Sequence, residues 1–202
     1  MALPLAEMFE FAAPPRTGVS WFVRACREAG LGMFGQKRFS EELSIGASFL
    51  QWLPHAERPR LRVSMVRHPC DWLKSIYEVL QTGKTEVRLG DGLAFRYFCA
   101  YGFGGQHEIS FDDFVIRYLD ERSGLIGDIF NSYQSDVRMR LGDMPWGFVE
   151  LLESFDVKQT VLDRVANVPI QGRIPLQIKW DPVLRRRLIE SEAEFCQSLD
   201  YY

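Results

Sequence analysis

The chain has 202 residues, 47% hydrophobic and 25% charged, with a formal net charge of −3. That length suffices for one domain with a full core, here residues 1–202. The slightly acidic balance excludes a non-specific nucleic-acid binder, which needs a strong basic excess. The four cysteines, Cys26, Cys70, Cys99 and Cys196, are widely spaced with no CxxC pair. They read as reduced, structural thiols rather than as metal ligands or a disulfide framework. The opening MALPLAEMFEF carries Glu7 and Glu10 and no basic region, so it does not read as a signal peptide. With no apolar run of about 18 residues, no membrane span is expected and a cytoplasmic location is the default.

In chain order, MFEFAA (8–13) reads as a first strand and PPRTG (14–18) as a turn. An amphipathic helix follows from Val19 to Leu31, stopped near Gly30 and Gly32. Residues 33–60 carry no clear pattern, though Pro54 and Pro59 mark a loop before a buried strand at 61–66. Pro69 suits a first helical turn, where its missing N–H costs nothing, and the helix runs to about Gln81. Residues 82–92 and 102–105 read as loops. SFDDFVIRYLDERSG (110–124) has a serine N-cap and ends on glycine. LIGDIFNSYQ reads as helix, DVRMRL as strand, and DMPWGFVELLESF as helix. One long amphipathic helix is expected from Asp181 and Pro182 to the C-terminus. Strands alternating with helices predict an α/β fold, a parallel sheet flanked by helices in three layers.

Two strand-to-helix turns carry the chemistry. In AAPPRTGVSW (12–21), Gly18 allows close backbone approach, and the amides of Gly18, Val19 and Ser20 face outward at a helix N-terminus. Unpaired N–H groups and the helix dipole make such a turn an anion site. Arg16 adds charge, and Thr17 and Ser20 add hydroxyls. In SMVRHPCDWLKSIY (64–77), Arg67 closes a strand and Ser75 stands two turns down the next helix. A parallel sheet brings both turns to one edge, the edge where open α/β sheets bind ligands. The ligand suggested has two phosphate-like groups with something flat between. Trp21 has two readings, a stacking platform for an adenine or a core residue.

The pair of turns resembles the sulfotransferases that use 3′-phosphoadenosine 5′-phosphosulfate. Their 5′-phosphosulfate loop, P-[KR]-[ST]-G-[ST]-[ST]-W, stands here as Pro15, Arg16, Thr17, Gly18, Val19, Ser20 and Trp21, with Val19 replacing a hydroxyl residue. Their 3′-phosphate motif, R-x-P-x-D-x-x-x-S-x-Y, stands complete as Arg67, Pro69, Asp71, Ser75 and Tyr77. Weaker likeness continues through FDDFVIRYL and DVRMRLGDMPWGFVELLESFDV. The resemblance implies a three-layer, P-loop-like fold with Arg67 and Ser75 on the 3′-phosphate, and Arg16 through Trp21 on the 5′ end. Asp71 is read as support for its helix, and Trp72 and Tyr77 as packing.

The pattern departs from that family at the general base and at the C-terminal loop. No histidine stands near FSEELSIGAS (39–48), where soluble members place theirs. Glu42, with Glu41 beside it, is the carboxylate candidate; His55 falls at the wrong edge, and His68 and His107 are outside alternatives. The C-terminal Arg-Lys-Gly loop is absent, with Arg173 in NVPIQGRIP (167–175) as a substitute. The expected activity is metal-free sulfuryl transfer to a hydroxyl or amine of a small-molecule or glycan acceptor, with no nucleic-acid or membrane partner. Phe34, Phe49, Trp52 and Phe103 are candidates for the acceptor pocket or for the core. The rivals are a nucleotide-dependent phosphotransferase, against which stands the missing GK[ST], and a non-catalytic nucleotide-binding module.

Overall fold

A computed structural model describes residues 9–31 except 12 and 15, 61–81, 109–170 except 134, and 178–201. The expectations for Glu41, Glu42, His55, His107, Cys99, Arg173 and the loops 33–60, 82–92 and 102–105 lie outside the described residues.

Three short strands, β1 (Phe9–Phe11), β2 (Leu61–Val66) and β3 (Val137–Arg140), form a parallel sheet in the order β1-β2-β3. Phe11 lies opposite Val63, and Val63 opposite Val137, so β2 is paired on both sides. Buried clusters cover both of its faces, which explains why Ser64 is buried along with Val63, Met65 and Val66. Val63 and Met65 point into one cluster of buried side chains and Val66 into another. Ser64, also buried, meets the Ser135 hydroxyl at 2.7 Å, so its polar group is satisfied. Asp136 ties the start of β3 to β2: its carboxylate accepts from the Arg62 amide at 2.7 Å, and its own amide donates to the Arg62 carbonyl at 2.9 Å.

Eight helices are described: α1 (Val19–Glu28), α2 (Pro69–Gln81), α3 (Phe111–Arg122), α4 (Leu125–Asn131), α5 (Trp146–Glu153), α6 (Gln159–Ala166), α7 (Pro182–Ser191) and α8 (Ala193–Ser198). Side chains of α1, α5 and α6, including Phe22, Phe148, Leu152 and Leu162, build the first cluster with Phe9. The second joins α2, α3, α4, α7 and α8 through Trp72, Phe114, Ile126, Leu188 and Phe195. This is an α/β arrangement, a parallel sheet with helices packed against it.

Local signals set most boundaries. Ser110 caps α3, its Oγ accepting from the Asp113 amide at 3.1 Å and donating to the Asp113 carboxylate at 2.7 Å, a reciprocal cap. Asp181 caps α7 by accepting from the Val183 and Leu184 amides, with Pro182 in the first turn. One expectation is corrected, one boundary does double duty, and one helix is additional. The single C-terminal helix is broken at Glu192 (φ −111°, ψ 24°) into α7 and α8. Gly124, expected to end α3, does so, at φ +85° after the Ser123 C-cap, and it also serves as the N-cap of α4. Helix α6 was not anticipated; it is short, and its inward side is carried by Leu162 and Val165.

Cys26, Cys70 and Cys196 are free and buried. Burial pushes the Cys70 thiol up to about 12 and that of Cys196 to about 11, so both stay protonated and unreactive at neutral pH. Among the described residues, no helix is long and apolar enough to cross a membrane.

Candidate functional site: an anion-binding edge

β1 and β2 are parallel neighbours, so their carboxyl ends share one edge. The turn after β1 is locked from within: Thr17 is fully buried and its hydroxyl donates to the Pro14 carbonyl at 2.6 Å. Thr17 therefore braces the turn. Arg16 occupies the left-handed region at φ +69°, a conformation that costs a non-glycine residue about 1 kcal/mol or more. Gly18 follows at φ +97° as the N-cap of α1, without a side-chain cap. Its carbonyl accepts from the Trp21 and Phe22 amides at 2.9 and 3.1 Å. The earlier amides of the first turn, those of Val19 and Ser20, have no acceptor one turn back and face the edge. Ser20 is exposed and Val19 half-buried.

Gly18 is required twice over. A Cβ there would stand 2.4 Å from Leu141 Cδ1 and 3.1 Å from Met65 Cε, on top of the positive φ. Gly18→Ala is expected to destabilise the protein by about 2–3 kcal/mol, from backbone strain and overpacking together. The double variant Gly18→Ala/Leu141→Ala should recover the steric part only, read by thermal denaturation against Leu141→Ala alone.

The second turn meets the first. Arg16 Nε donates to Ser75 Oγ at 2.9 Å, and an Arg67 terminal nitrogen donates to the Arg16 carbonyl at 3.0 Å. Arg16, Arg67 and Ser75, separate in sequence, thus form one contiguous polar cluster. Arg67 is partly buried, and burial lowers its guanidinium from the ordinary value while Asp71, Glu78 and Tyr201 act the other way. No carboxylate of the described residues is in ion-pair contact with it. A guanidinium that is desolvated, fixed by a carbonyl and without a contacting carboxylate among the described residues is suited to an incoming anion.

Other expected residues fall to structural roles. Trp21 is 6% exposed, edge-on to Phe148 at 6.2 Å, and its indole N–H donates to the Val168 carbonyl at 3.2 Å. It occupies the core, the second of its two readings. Trp72 is wholly buried, and Tyr77 packs on Phe111 and Phe114 while its hydroxyl donates to the Ile109 carbonyl. Asp71 is exposed in the first turn of α2, where a negative charge favours the helix dipole. His68 uses Nδ1 to accept from the Cys70 amide at 3.1 Å, capping α2. That atom is thereby committed, and burial lowers the imidazole's pKa, opposed by Asp71 and assisted by Arg185.

The edge also holds residues that the sequence reading passed over. After β3, a 3-10 turn (Leu141–Asp143) lies against Gly18, and Arg140 Nε donates to the Asp143 carboxylate at 2.6 Å. Arg140 also donates to the Leu199 carbonyl at 3.3 Å, and the Tyr201 ring meets His68 edge-on at 5.2 Å. Burial raises the Tyr201 phenol, keeping it neutral. The only signal for these was Arg140 at a strand end followed by an acidic turn. A surface depression lined by Glu28, Asp163, Arg164 and Asn167 lies at the far ends of α1 and α6, away from this edge. Among the described residues, no group of His, Cys, Asp and Glu could hold a metal ion. Compared with protein-family models, with curated proteins and with solved structures, the chain matches none.

Proposed function

We propose that this chain is a sulfotransferase using 3′-phosphoadenosine 5′-phosphosulfate, built on a three-layer P-loop-like fold. The observation that carries the reading is the convergence of Arg16, Arg67 and Ser75 with the first-turn amides of α1 on one sheet edge. The partly buried Arg67, with no carboxylate among the described residues in contact, supports a phosphate partner there. When bound, the nucleotide supplies an activated sulfuryl group for in-line transfer to a hydroxyl or amine. Arg67 and the Ser75 hydroxyl hold the 3′-phosphate by charge-assisted hydrogen bonds. Arg16, Ser20 and the amides of Gly18 and Val19 hold the 5′ end and stabilise the negative charge that grows on the leaving side. Glu42 takes the acceptor's proton, a role that contributes about 10²–10⁴-fold in rate.

The test is calorimetric titration with adenosine 3′,5′-bisphosphate and with adenosine 5′-monophosphate, followed by a radiolabelled sulfate transfer screen. Arg67→Ala should weaken bisphosphate binding by about 1.5–3 kcal/mol, the range for a hydrogen bond to a charged group. Monophosphate binding should barely change. Equal losses for both nucleotides would make Arg67 structural, and absence of bisphosphate binding to the native protein would sink the reading.

A further inference from the structure

On the reading that this edge holds the nucleotide, we propose that the Tyr201 hydroxyl is a further anion ligand, donating to the 3′-phosphate that Arg67 holds. Tyr201 is remote from Arg67 in sequence, and its place follows from contacts at two strand ends. Arg140 pairs with Val66 across β2 and β3, so Arg67 and Arg140 stand at adjacent carboxyl ends of the sheet. A terminal nitrogen of Arg140 donates to the Leu199 carbonyl at 3.3 Å, which draws the turn after α8 onto that edge. The Tyr201 amide donates to the Cys196 carbonyl at 3.0 Å and fixes the turn. Its ring meets the ring of His68, the residue directly after Arg67, at 5.2 Å. The phenol is thereby confined beside the end of β2.

The groups around the phenol select the ligand. Tyr201 lies within electrostatic reach of both guanidiniums, since negative charge on it would favour the charged forms of Arg67 and Arg140. Burial keeps the phenol neutral, so it retains a proton to donate. Among the described residues its hydroxyl has no hydrogen-bond partner, and Arg67 offers only donors. Two donors side by side in a half-buried place, one of them charged, call for a shared acceptor with negative charge. The protein's own carboxylates do not fill that role. Asp71 and Asp143 both act on the phenol electrostatically, yet neither bonds it, and Asp143 is held by Arg140 at 2.6 Å. A phosphate has oxygens enough to accept from Arg67, Ser75 and Tyr201 together.

Calorimetric titration with adenosine 3′,5′-bisphosphate, adenosine 3′-monophosphate and adenosine 5′-monophosphate tests the assignment. Tyr201→Phe keeps the ring against His68 and removes only the donor, so its thermal midpoint should match that of the native protein. It should weaken the bisphosphate and the 3′-monophosphate about tenfold and leave the 5′-monophosphate unchanged. Arg67→Ala/Tyr201→Phe should lose less than the two single losses combined, because both residues act on one phosphate. Unchanged binding of the bisphosphate, or an equal loss for all three nucleotides, overturns the proposal. A second measurement does not depend on the nucleotide. Inorganic phosphate titrated into protein labelled at the tyrosine Cζ should shift the Tyr201 resonance, identified by its loss in Tyr201→Phe, and Arg67→Ala should abolish that shift. If the native protein binds no nucleotide but shows the shift, the anion ligand stands and the transfer reading falls. A Tyr201 resonance that phosphate leaves unmoved in a protein binding no nucleotide removes both.

Discussion

Arg16→Ala is expected to slow sulfuryl transfer by about 10²–10³-fold while weakening nucleotide binding far less. The reason lies in where charge moves. The 5′ end gains negative charge as the S–O bond breaks, whereas the 3′-phosphate keeps its charge throughout. An interaction that strengthens only in the transition state raises the rate without tightening the ground state. Arg67→Ala should show the reverse, a loss of affinity with little loss of rate. The bond from Arg16 Nε to Ser75 Oγ complicates the experiment, since removing Arg16 also frees the serine. Ser75→Ala is the control: it breaks the same bond but leaves the guanidinium, so it should affect affinity and spare the rate. Arg16→Lys should restore part of the rate, because an ammonium keeps the charge but loses the planar fork. Single-turnover transfer to water or to a screened hydroxyl acceptor, with nucleotide dissociation constants for each variant, decides it. An Arg16→Ala variant changed in affinity alone would mean the two ends of the nucleotide are assigned in reverse.

Glu192→Ala is expected to cost about 3–5 kcal/mol of stability, the scale for removing one partner from a buried polar cluster. Glu192 is 2% exposed. Its Oε1 accepts from the Tyr118 hydroxyl and the Gly124 amide, and its Oε2 from the Gly127 amide at 2.8 Å. The Tyr118 oxygen in turn accepts from the Ile126 amide at 3.1 Å. Truncation leaves two buried donors, the Tyr118 hydroxyl and the Gly127 amide, without an acceptor, each costing about 1–3 kcal/mol, and the half-buried Gly124 amide as well. For a chain of this size, the melting temperature should fall by roughly 10 °C.

The pH dependence has a definite sign. Burial raises the Glu192 pKa above its usual 4.5, outweighing the hydrogen bonds from Tyr118, Gly127, Ile126 and Gly124 that lower it. A group whose folded value is raised contributes stability that is complete below the unfolded value and lost as pH rises through the folded one. Stability from Glu192 should therefore decline as pH climbs above about 4.5. Glu192→Gln, which cannot ionise, should abolish that slope while losing the acceptor for Gly127. Denaturant titrations of native protein and Glu192→Gln across the acidic range test this; parallel curves would show that Glu192 does not titrate there.

The two strand-turn-helix units, 9–28 and 61–81, were legible because their signals are local. An apolar run, a proline or glycine, and a helical repeat follow one another within about twenty residues, and each acts through the backbone of its own segment. The caps at Ser110 and Asp181 were legible for the same reason, since a cap joins atoms two or three residues apart. Arg16, Arg67 and Ser75 could be singled out by residue type and spacing. That they share one edge followed from the alternation of strands and helices, which implies parallel pairing; that Arg16 bonds Ser75 and Arg67 bonds the Arg16 carbonyl came only from the tertiary structure.

Tertiary contacts alone decided the rest. Trp21 sits at a spacing compatible with a ligand face and with a core face. Phe148 and the Val168 carbonyl, more than a hundred residues away, chose the core. The last helix reads as continuous, yet it breaks at Glu192, whose carboxylate accepts from Tyr118, Gly124 and Gly127 on the α3–α4 junction. Amphipathic periodicity reports which side of a helix is apolar. It carries no information about a single polar group drawn inward by donors that the chain reaches only after folding.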